Sequence, residues 1–209
     1  MTPQAMKRGL YLVTPDWDDT PRLLAVTRAA VKGGAVCVQY RHKATTTTSQ
    51  RMEQALALSA ALRDSGVTFI VNDDATLAAA VGADGVHLGR DDGDVAALRR
   101  KHGDAFIIGV SCYNEFARAE RAVADGASYI AFGAMFASPT KPEAVAAPIE
   151  LVRRAKAELP LPVACIGGIT VDNAAQLVAV GADWLAVITD IYAAADAQAQ
   201  AARIAKLYA

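Results

Sequence analysis

The 209-residue chain is 53% hydrophobic and carries 21 basic against 22 acidic residues, a net charge of −1. That length and apolar content suit one domain with a sizeable core. The balanced charge gives no reason to expect nucleic acid or an acidic membrane surface as partner, so any anion site must be a local concentration of charge. In chain order, an apolar run at 10–13 is followed by a stretch of helical spacing at 18–32, then 35–38 by 48–65, 68–71 by 75–81 and 85–88 by 95–101. The pattern continues with 106–110 and 115–124, 129–132 and 148–158, 162–166 and 171–180, and 184–188 and 191–207. The apolar runs are continuous rather than alternating, as in strands covered on both faces.

Glycines at 33, 66, 82, 103, 126 and 181 punctuate the helix ends, where a left-handed residue costs least as glycine. The phrases Val81-Gly82-Ala83-Asp84, Asp125-Gly126-Ala127-Ser128 and Val180-Gly181-Ala182-Asp183 repeat one helix-to-strand turn. Eight such units point to a single-domain (β/α)8 TIM barrel over residues 1–209. A doubly wound open sheet is the alternative; the count of eight favours closure, and no G-x-G-x-x-G follows the first strand.

No apolar run approaches the ~20 residues that span a bilayer, and residues 1–8 lack the apolar centre of a signal peptide. Cys37, Cys112 and Cys165 are widely spaced with no C-x-x-C pair, which speaks against zinc and disulfide frameworks. A reduced, cytoplasmic protein is the expectation. Helix patterns do not fix an oligomeric state and leave a homodimer open.

In a barrel, function sits just past the C-terminal ends of the strands. Strand two ends in Gln39, Arg41 and Lys43; alternation puts all three on one face, about 7 Å apart per step of two. Two cations and an amide there suit an anionic ligand. Strand three ends in Asn72-Asp73-Asp74, and strand four is followed by Gly89-Arg90-Asp91-Asp92. Taken singly, these aspartates read best as helix N-caps. With Arg41 and Lys43 beside them, Asp73 and Asp92 read better as the protein's share of a Mg²⁺–diphosphate site.

Strand five ends at Ser111-Cys112-Tyr113, where Cys112 is a weak candidate nucleophile. The long loop after strand six carries Ser138, Thr140 and Lys141, a charge and two hydroxyls that a closing lid would bring to phosphate. Gly167-Gly168 after strand seven, paired with Ile188-Thr189 after strand eight, stands where barrels commonly cradle phosphate. His87 reads as a structural histidine near the mouth, and no Ser–His–Asp or Cys–His arrangement is recognisable.

The ordered set Tyr11-Leu12-Val13-Thr14, Gln39-x-Arg41-x-Lys43, Val71-Asn72-Asp73, Asp84 to Gly89 with Asp91-Asp92, Gly109-Val110-Ser111, Ser138-x-Thr140-Lys141, Ile166 to Ile169 and Ala186 to Thr189 resembles the thiamine phosphate synthase family across nearly the whole chain. The resemblance implies condensation of 4-amino-5-hydroxymethyl-2-methylpyrimidine diphosphate with hydroxyethylthiazole phosphate, or its carboxylated form, to thiamine phosphate and diphosphate. It assigns Gln39, Arg41, Lys43, Asn72, Ser111 and Lys141 to the pyrimidine diphosphate and Asp73 and Asp92 to Mg²⁺. Ser138, Thr140, Gly168, Ile188 and Thr189 fall to the thiazole phosphate. Arg41, Lys43, Lys141 and Ser111 would carry catalysis through a dissociative pyrimidine cation. Tyr40 and His42 stand where the family more usually has Leu and Glu, on the face turned from the ligand. Ser138 replaces Thr and Thr189 replaces Ser, each keeping the hydroxyl. Tyr113 stands where a related thiazole tautomerase relies on His, which counts against that isomerase; a non-catalytic phosphate-binding paralogue is the other alternative.

Overall fold

The computed structural model describes residues 6–44, 47–137 and 145–209. Its eight strands are β1 (Gly9–Val13), β2 (Ala35–Tyr40), β3 (Thr68–Asn72), β4 (Gly85–Leu88), β5 (Ile107–Tyr113), β6 (Tyr129–Phe132), β7 (Val163–Ile166) and β8 (Trp184–Val187). All neighbours pair in parallel and in sequential order, and β1 closes on β8 through Gly9 opposite Trp184 and Leu12 opposite Val187. This is the (β/α)8 barrel, and the open-sheet alternative falls.

The helices are α1 (Thr20–Lys32), α2 (Thr48–Leu62), α3 (Ala75–Ala80), α4 (Val95–His102), α5 (Phe116–Ala124), α6 (Ile149–Glu158), α7 (Ala174–Ala179), α8 (Thr189–Tyr192) and α9 (Ala197–Ala205). None of the described helices is long and apolar enough to cross a membrane.

Alternation along each strand divides the core in two. On β1, Leu10 and Leu12 face the helices, while Tyr11 and Val13 face the barrel axis. The axis is filled by Tyr11, Val13, Cys37, Ile70, Tyr129, Ala131, Ala164, Trp184 and Ala186. Small alanines on β6, β7 and β8 leave room for the aromatic rings of β1, β6 and β8.

Three local departures from the sequence reading have physical causes. The stretch at 191–207 is not one helix: Asp196 accepts a hydrogen bond from the Ala199 N–H, capping α9 and separating it from the short α8. Strand β5 runs on to Tyr113, with a register shift against β6 between Ser111 and Tyr113. Gly33 does not take a left-handed conformation (φ −74°). It is glycine because a Cβ there would lie 2.4 Å from the Gln198 carbonyl oxygen, so its absence lets the start of α9 press on α1.

Candidate active site

The β2 end works as its alternation predicts. Gln39, Arg41 and Lys43 all line one cavity of about 730 Å³ at the barrel mouth. Tyr40 packs under the helices, and His42 turns outward to meet Asp18 at 3.2 Å. Thr14, at the end of β1, locks the neighbouring backbone: its hydroxyl donates to the Arg41 carbonyl and accepts from the Arg41 N–H, both at 2.8 Å. Arg41 Nη1 reaches both Asp16 carboxylate oxygens, at 3.0 and 3.1 Å, and Asp16 also accepts from the Lys43 N–H at 2.7 Å. Sequence reasoning missed Asp16. The signal was there, since a carboxylate two residues beyond Thr14 occupies the same class of position as Asp73.

On the β3 and β4 ends, helix capping falls to other aspartates. Asp74 caps α3 by accepting from the Leu77 N–H, and Asp94 caps α4 by accepting from the Ala97 N–H. Asp73 and Asp92 are thereby left to the cavity. Asp73 takes a left-handed conformation (φ 64°), and its N–H donates to the His87 carbonyl at 2.8 Å. Its carboxylate meets Lys43 Nζ at 2.8 Å. Asp92 accepts from the Gly89 N–H at 2.7 Å. Burial raises the Asp73 carboxyl above its ordinary range, helped by the hydrogen bond its protonated form donates to the neighbouring Asp92, with Lys43 opposing. Among the described residues no group of three or more His, Cys, Asp or Glu is arranged to hold a metal; a carboxylate pair is what the site offers. A second cavity of about 760 Å³ opens outward over α3 and α4 and shares Lys43, Asn72, Asp73 and Asp92 with the first.

Beneath this charged rim runs a neutral polar chain. Gln39 Nε2 donates to Tyr11 Oη at 2.9 Å, and Tyr11 and Tyr129 share a hydrogen bond at 2.8 Å. Tyr129 Oη meets His87 Nδ1 at 2.8 Å, and His87 Nε2 meets Ser111 Oγ at 2.8 Å. Burial pushes both tyrosine hydroxyls well above their ordinary range and lowers His87 to about 4, so the imidazole is neutral near pH 7. His87 is fully partnered, as a structural histidine is, yet it also lines the cavity. Tyr11 and Tyr129 could have been suspected from sequence, because a phenol in a buried strand must find a hydrogen-bond partner.

Ser111 faces the cavity, whereas Cys112 points the other way, is fully buried and has its thiol pushed up to about 12 by burial. That removes Cys112 as a nucleophile. Tyr113 (φ 54°) accepts at its hydroxyl from the Arg90 N–H at 3.2 Å, with the Arg90 and Arg118 guanidinium groups 5.0 and 5.7 Å from its ring centre.

Among the described residues, the opposite rim is mostly backbone and uncharged side chains, with Asp190 its one carboxylate. Gly168, Ile188 and Thr189 line the same cavity as Arg41 and Lys43, beside Ala134 and Ala137. Asn173 Nδ2 donates to the Gly168 carbonyl at 2.9 Å. Asp190 Oδ2 accepts from the Val171 N–H at 3.1 Å and from Gln200 Nε2 at 2.9 Å, tying the turn after β7 to the end of β8. Ser138, Thr140 and Lys141 lie outside the described residues.

Comparison with known proteins points to one family. The family profile described as thiamine monophosphate synthase matches residues 10–191. A thiamine-phosphate synthase of Aromatoleum aromaticum is 51% identical over 206 residues, covering 99% of each chain. One from an Azoarcus species is 52% identical over 202 residues, covering 97% of this chain and 98% of that one. Among solved structures, a thiamine phosphate pyrophosphorylase from Pyrococcus furiosus superposes with a TM-score of 0.83 at 31% identity, over 97% of this chain and 96% of the other.

Proposed function

The chain belongs to the thiamine monophosphate synthase family, and on that premise we propose that it is a Mg²⁺-dependent transferase. It joins 4-amino-5-hydroxymethyl-2-methylpyrimidine diphosphate to hydroxyethylthiazole phosphate, or its carboxylated form, and releases diphosphate and thiamine phosphate. The observation that carries this reading is the cluster of Arg41, Lys43, Asp73 and Asp92 on one wall of a cavity whose opposite wall is Gly168, Ile188 and Thr189. A site for one monophosphate has no use for two cations and two carboxylates beside it.

The donor set fits Mg²⁺. Asp73 and Asp92 line the same cavity and offer the hard carboxylate oxygens that Mg²⁺ takes, so these two residues would hold the ion. Water and diphosphate oxygens would supply its remaining ligands. When bound, the ion neutralises charge on the departing diphosphate.

The protein's own residues do the rest. Arg41 and Lys43 hold the diphosphate and stabilise the charge it gains as the carbon–oxygen bond breaks and the electron pair leaves with it. Lys141, assigned from the family resemblance, adds a third cation. The aminopyrimidine ring stabilises the cation left behind, and the lone pair of the neutral thiazole nitrogen forms the new carbon–nitrogen bond. Gln39, Asn72 and Ser111 hold the pyrimidine; Gly168, Ile188 and Thr189, with Ser138 and Thr140, hold the thiazole phosphate. The apolar side chains of Val13, Ile166 and Ala186 in the cavity lining help exclude water from the cation. No protein nucleophile is required, in keeping with the inert Cys112. The hydroxyl of Tyr113, held by the Arg90 N–H, offers no base for a tautomerase.

The test is direct. Purified protein supplied with both substrates and Mg²⁺ is expected to form thiamine phosphate and diphosphate in equal amounts; no product under those conditions would sink the assignment.

A further inference from the structure

We propose that Tyr11, Tyr129 and His87 are positioning residues: a hydrogen-bond relay that sets donor and acceptor polarity at Gln39 and Ser111, so that the cavity selects a pyrimidine bearing an amino rather than an oxo group. The proposal rests on the preceding reading that a pyrimidine enters this cavity.

The relay follows from counting protons. Each tyrosine hydroxyl has one proton to give, and so has a neutral imidazole. Gln39 Nε2 donates to Tyr11 Oη at 2.9 Å. The Tyr11 proton is then directed to Tyr129, 2.8 Å away, and the Tyr129 proton to His87 Nδ1, also 2.8 Å away. With Nδ1 accepting, the ring proton sits on Nε2 and points to Ser111 Oγ at 2.8 Å. Left over for the ligand are the Gln39 Oε1 acceptor with the second amide N–H at one end, and the Ser111 hydroxyl proton with one lone pair at the other; the groups that differ between proton arrangements are Gln39 Oε1 and the Ser111 proton. Both residues line the cavity.

The opposite state has the Gln39 amide flipped and every proton of the chain reversed. Gln39 then offers a donor, and Ser111 only lone pairs. A mixed state either sets two protons or two lone pairs face to face in a buried position or turns the Tyr11 proton to the Cys37 thiol, a weaker acceptor than a hydroxyl. The two ends are therefore coupled. An aminopyrimidine presents a donating amine beside an accepting ring nitrogen, the complement of the first state. An oxopyrimidine presents an accepting oxygen beside a donating ring N–H, the complement of the second.

The surroundings are built to hold this chain. A Cβ at Gly109 would lie 2.0 Å from Tyr129 Cζ and 2.3 Å from its hydroxyl, so the seat of that hydroxyl exists because residue 109 has no side chain. Trp184 stands edge-on to both tyrosines, with ring centres 5.9 Å from Tyr11 and 4.9 Å from Tyr129, and His87 stacks on Tyr129 at 5.5 Å. The rings cannot turn away independently.

Two measurements test the relay. Nitrogen-15 NMR of the labelled wild-type protein is expected to show His87 protonated on Nε2; a proton on Nδ1 overturns the proposal. In kinetics, Tyr129→Phe and Tyr11→Phe should each raise KM for the pyrimidine diphosphate about tenfold, the effect of one misdirected hydrogen bond, and leave KM for the thiazole phosphate unchanged. Inhibition by the 4-oxo analogue should strengthen relative to substrate by a similar factor. Unchanged discrimination in both variants also overturns the proposal. Should wild-type protein form no thiamine phosphate, the assigned reaction fails, while the His87 tautomer still decides the relay.

Discussion

On the proposed function, the two rims of the barrel mouth would solve anion binding in different ways. The β2–β4 rim uses charged side chains that are already paired: Arg41 with Asp16, and Lys43 with Asp73. Among the described residues the β6–β8 rim brings no cation: it offers glycines, alanines and the hydroxyl of Thr189, and its one carboxylate, Asp190, is tied to the Val171 N–H and Gln200. Paired charges are held in place without ligand, and on the proposed reaction an incoming diphosphate would compete with Asp16 and Asp73 for cations that are already oriented. The described part of the other rim would rely on shape and close backbone approach, which suits a phosphate that binds but does not react. The first rim should therefore control turnover and the second substrate affinity.

The largest effect should come from Asp73. Asparagine tolerates the left-handed φ of 64° that alanine would resist, so Asp73→Asn removes charge while sparing the backbone. We expect kcat to fall on the order of 10³-fold, with loss of most Mg²⁺ dependence, in steady-state assays titrated with Mg²⁺; wild-type kinetics would refute the metal role. Because the Asp73 carboxyl is raised, protons compete with the ion as pH falls. Mg²⁺ binding, followed by calorimetry, should weaken toward acid pH and release protons.

His87 comes next, and it marks the border between the charged rim and the neutral chain below. Its pKa is lowered from 6.5 to about 4, chiefly by burial. The unfolded chain takes up a proton near pH 6.5, whereas the folded protein resists until about pH 4. The stability from a neutral His87 is thus full above pH 6.5, falls as pH drops through that window, and levels off below it. The span corresponds to about 3 kcal/mol. Urea unfolding of the wild type at pH 7 and 4.5 should show this loss, and His87→Gln should lose less over the same interval.

How much of this was legible in the sequence follows from the range of each interaction. Gln39, Arg41 and Lys43 share a face because of strand geometry alone, so their alternation placed them correctly, as it placed Tyr40 and His42 on the other side. The eight-fold rhythm fixed the barrel, and with it the convergence of residues as far apart in sequence as Arg41 and Thr189. Competition between neighbours was not readable. Nothing in the string Asn72-Asp73-Asp74 says which aspartate caps the helix, and the cap at α4 fell to Asp94 rather than to Asp91 or Asp92. Contacts across the axis were equally hidden: Tyr11 and Tyr129 are 118 residues apart and meet only because the barrel closes. The Arg41–Asp16 pair belongs between these cases, since its partner sits at a strand end but on the neighbouring unit.

Gly168 and Thr189 give the smaller effects that sharpen the contrast between the rims. Gly168 has φ 62°, and a Cβ there would lie 2.5 Å from the Ala137 carbonyl oxygen and 2.7 Å from that of Phe136. Gly168→Ala meets both strain and crowding, so a loss of about 1–3 kcal/mol in stability is expected, with KM for the thiazole phosphate raised about tenfold. KM for the pyrimidine diphosphate should hold. Thr189→Val is nearly isosteric and removes one hydroxyl from the same wall. One hydrogen bond to a phosphate is worth about 1.5–3 kcal/mol when fully formed, but Thr189 opens α8 at the mouth, where water can replace it. We therefore expect a change of only about three- to tenfold in KM for the thiazole phosphate, at constant kcat. A fall in kcat instead would mean that the β6–β8 rim acts on the departing diphosphate, and the division of labour between the two rims would have to be redrawn.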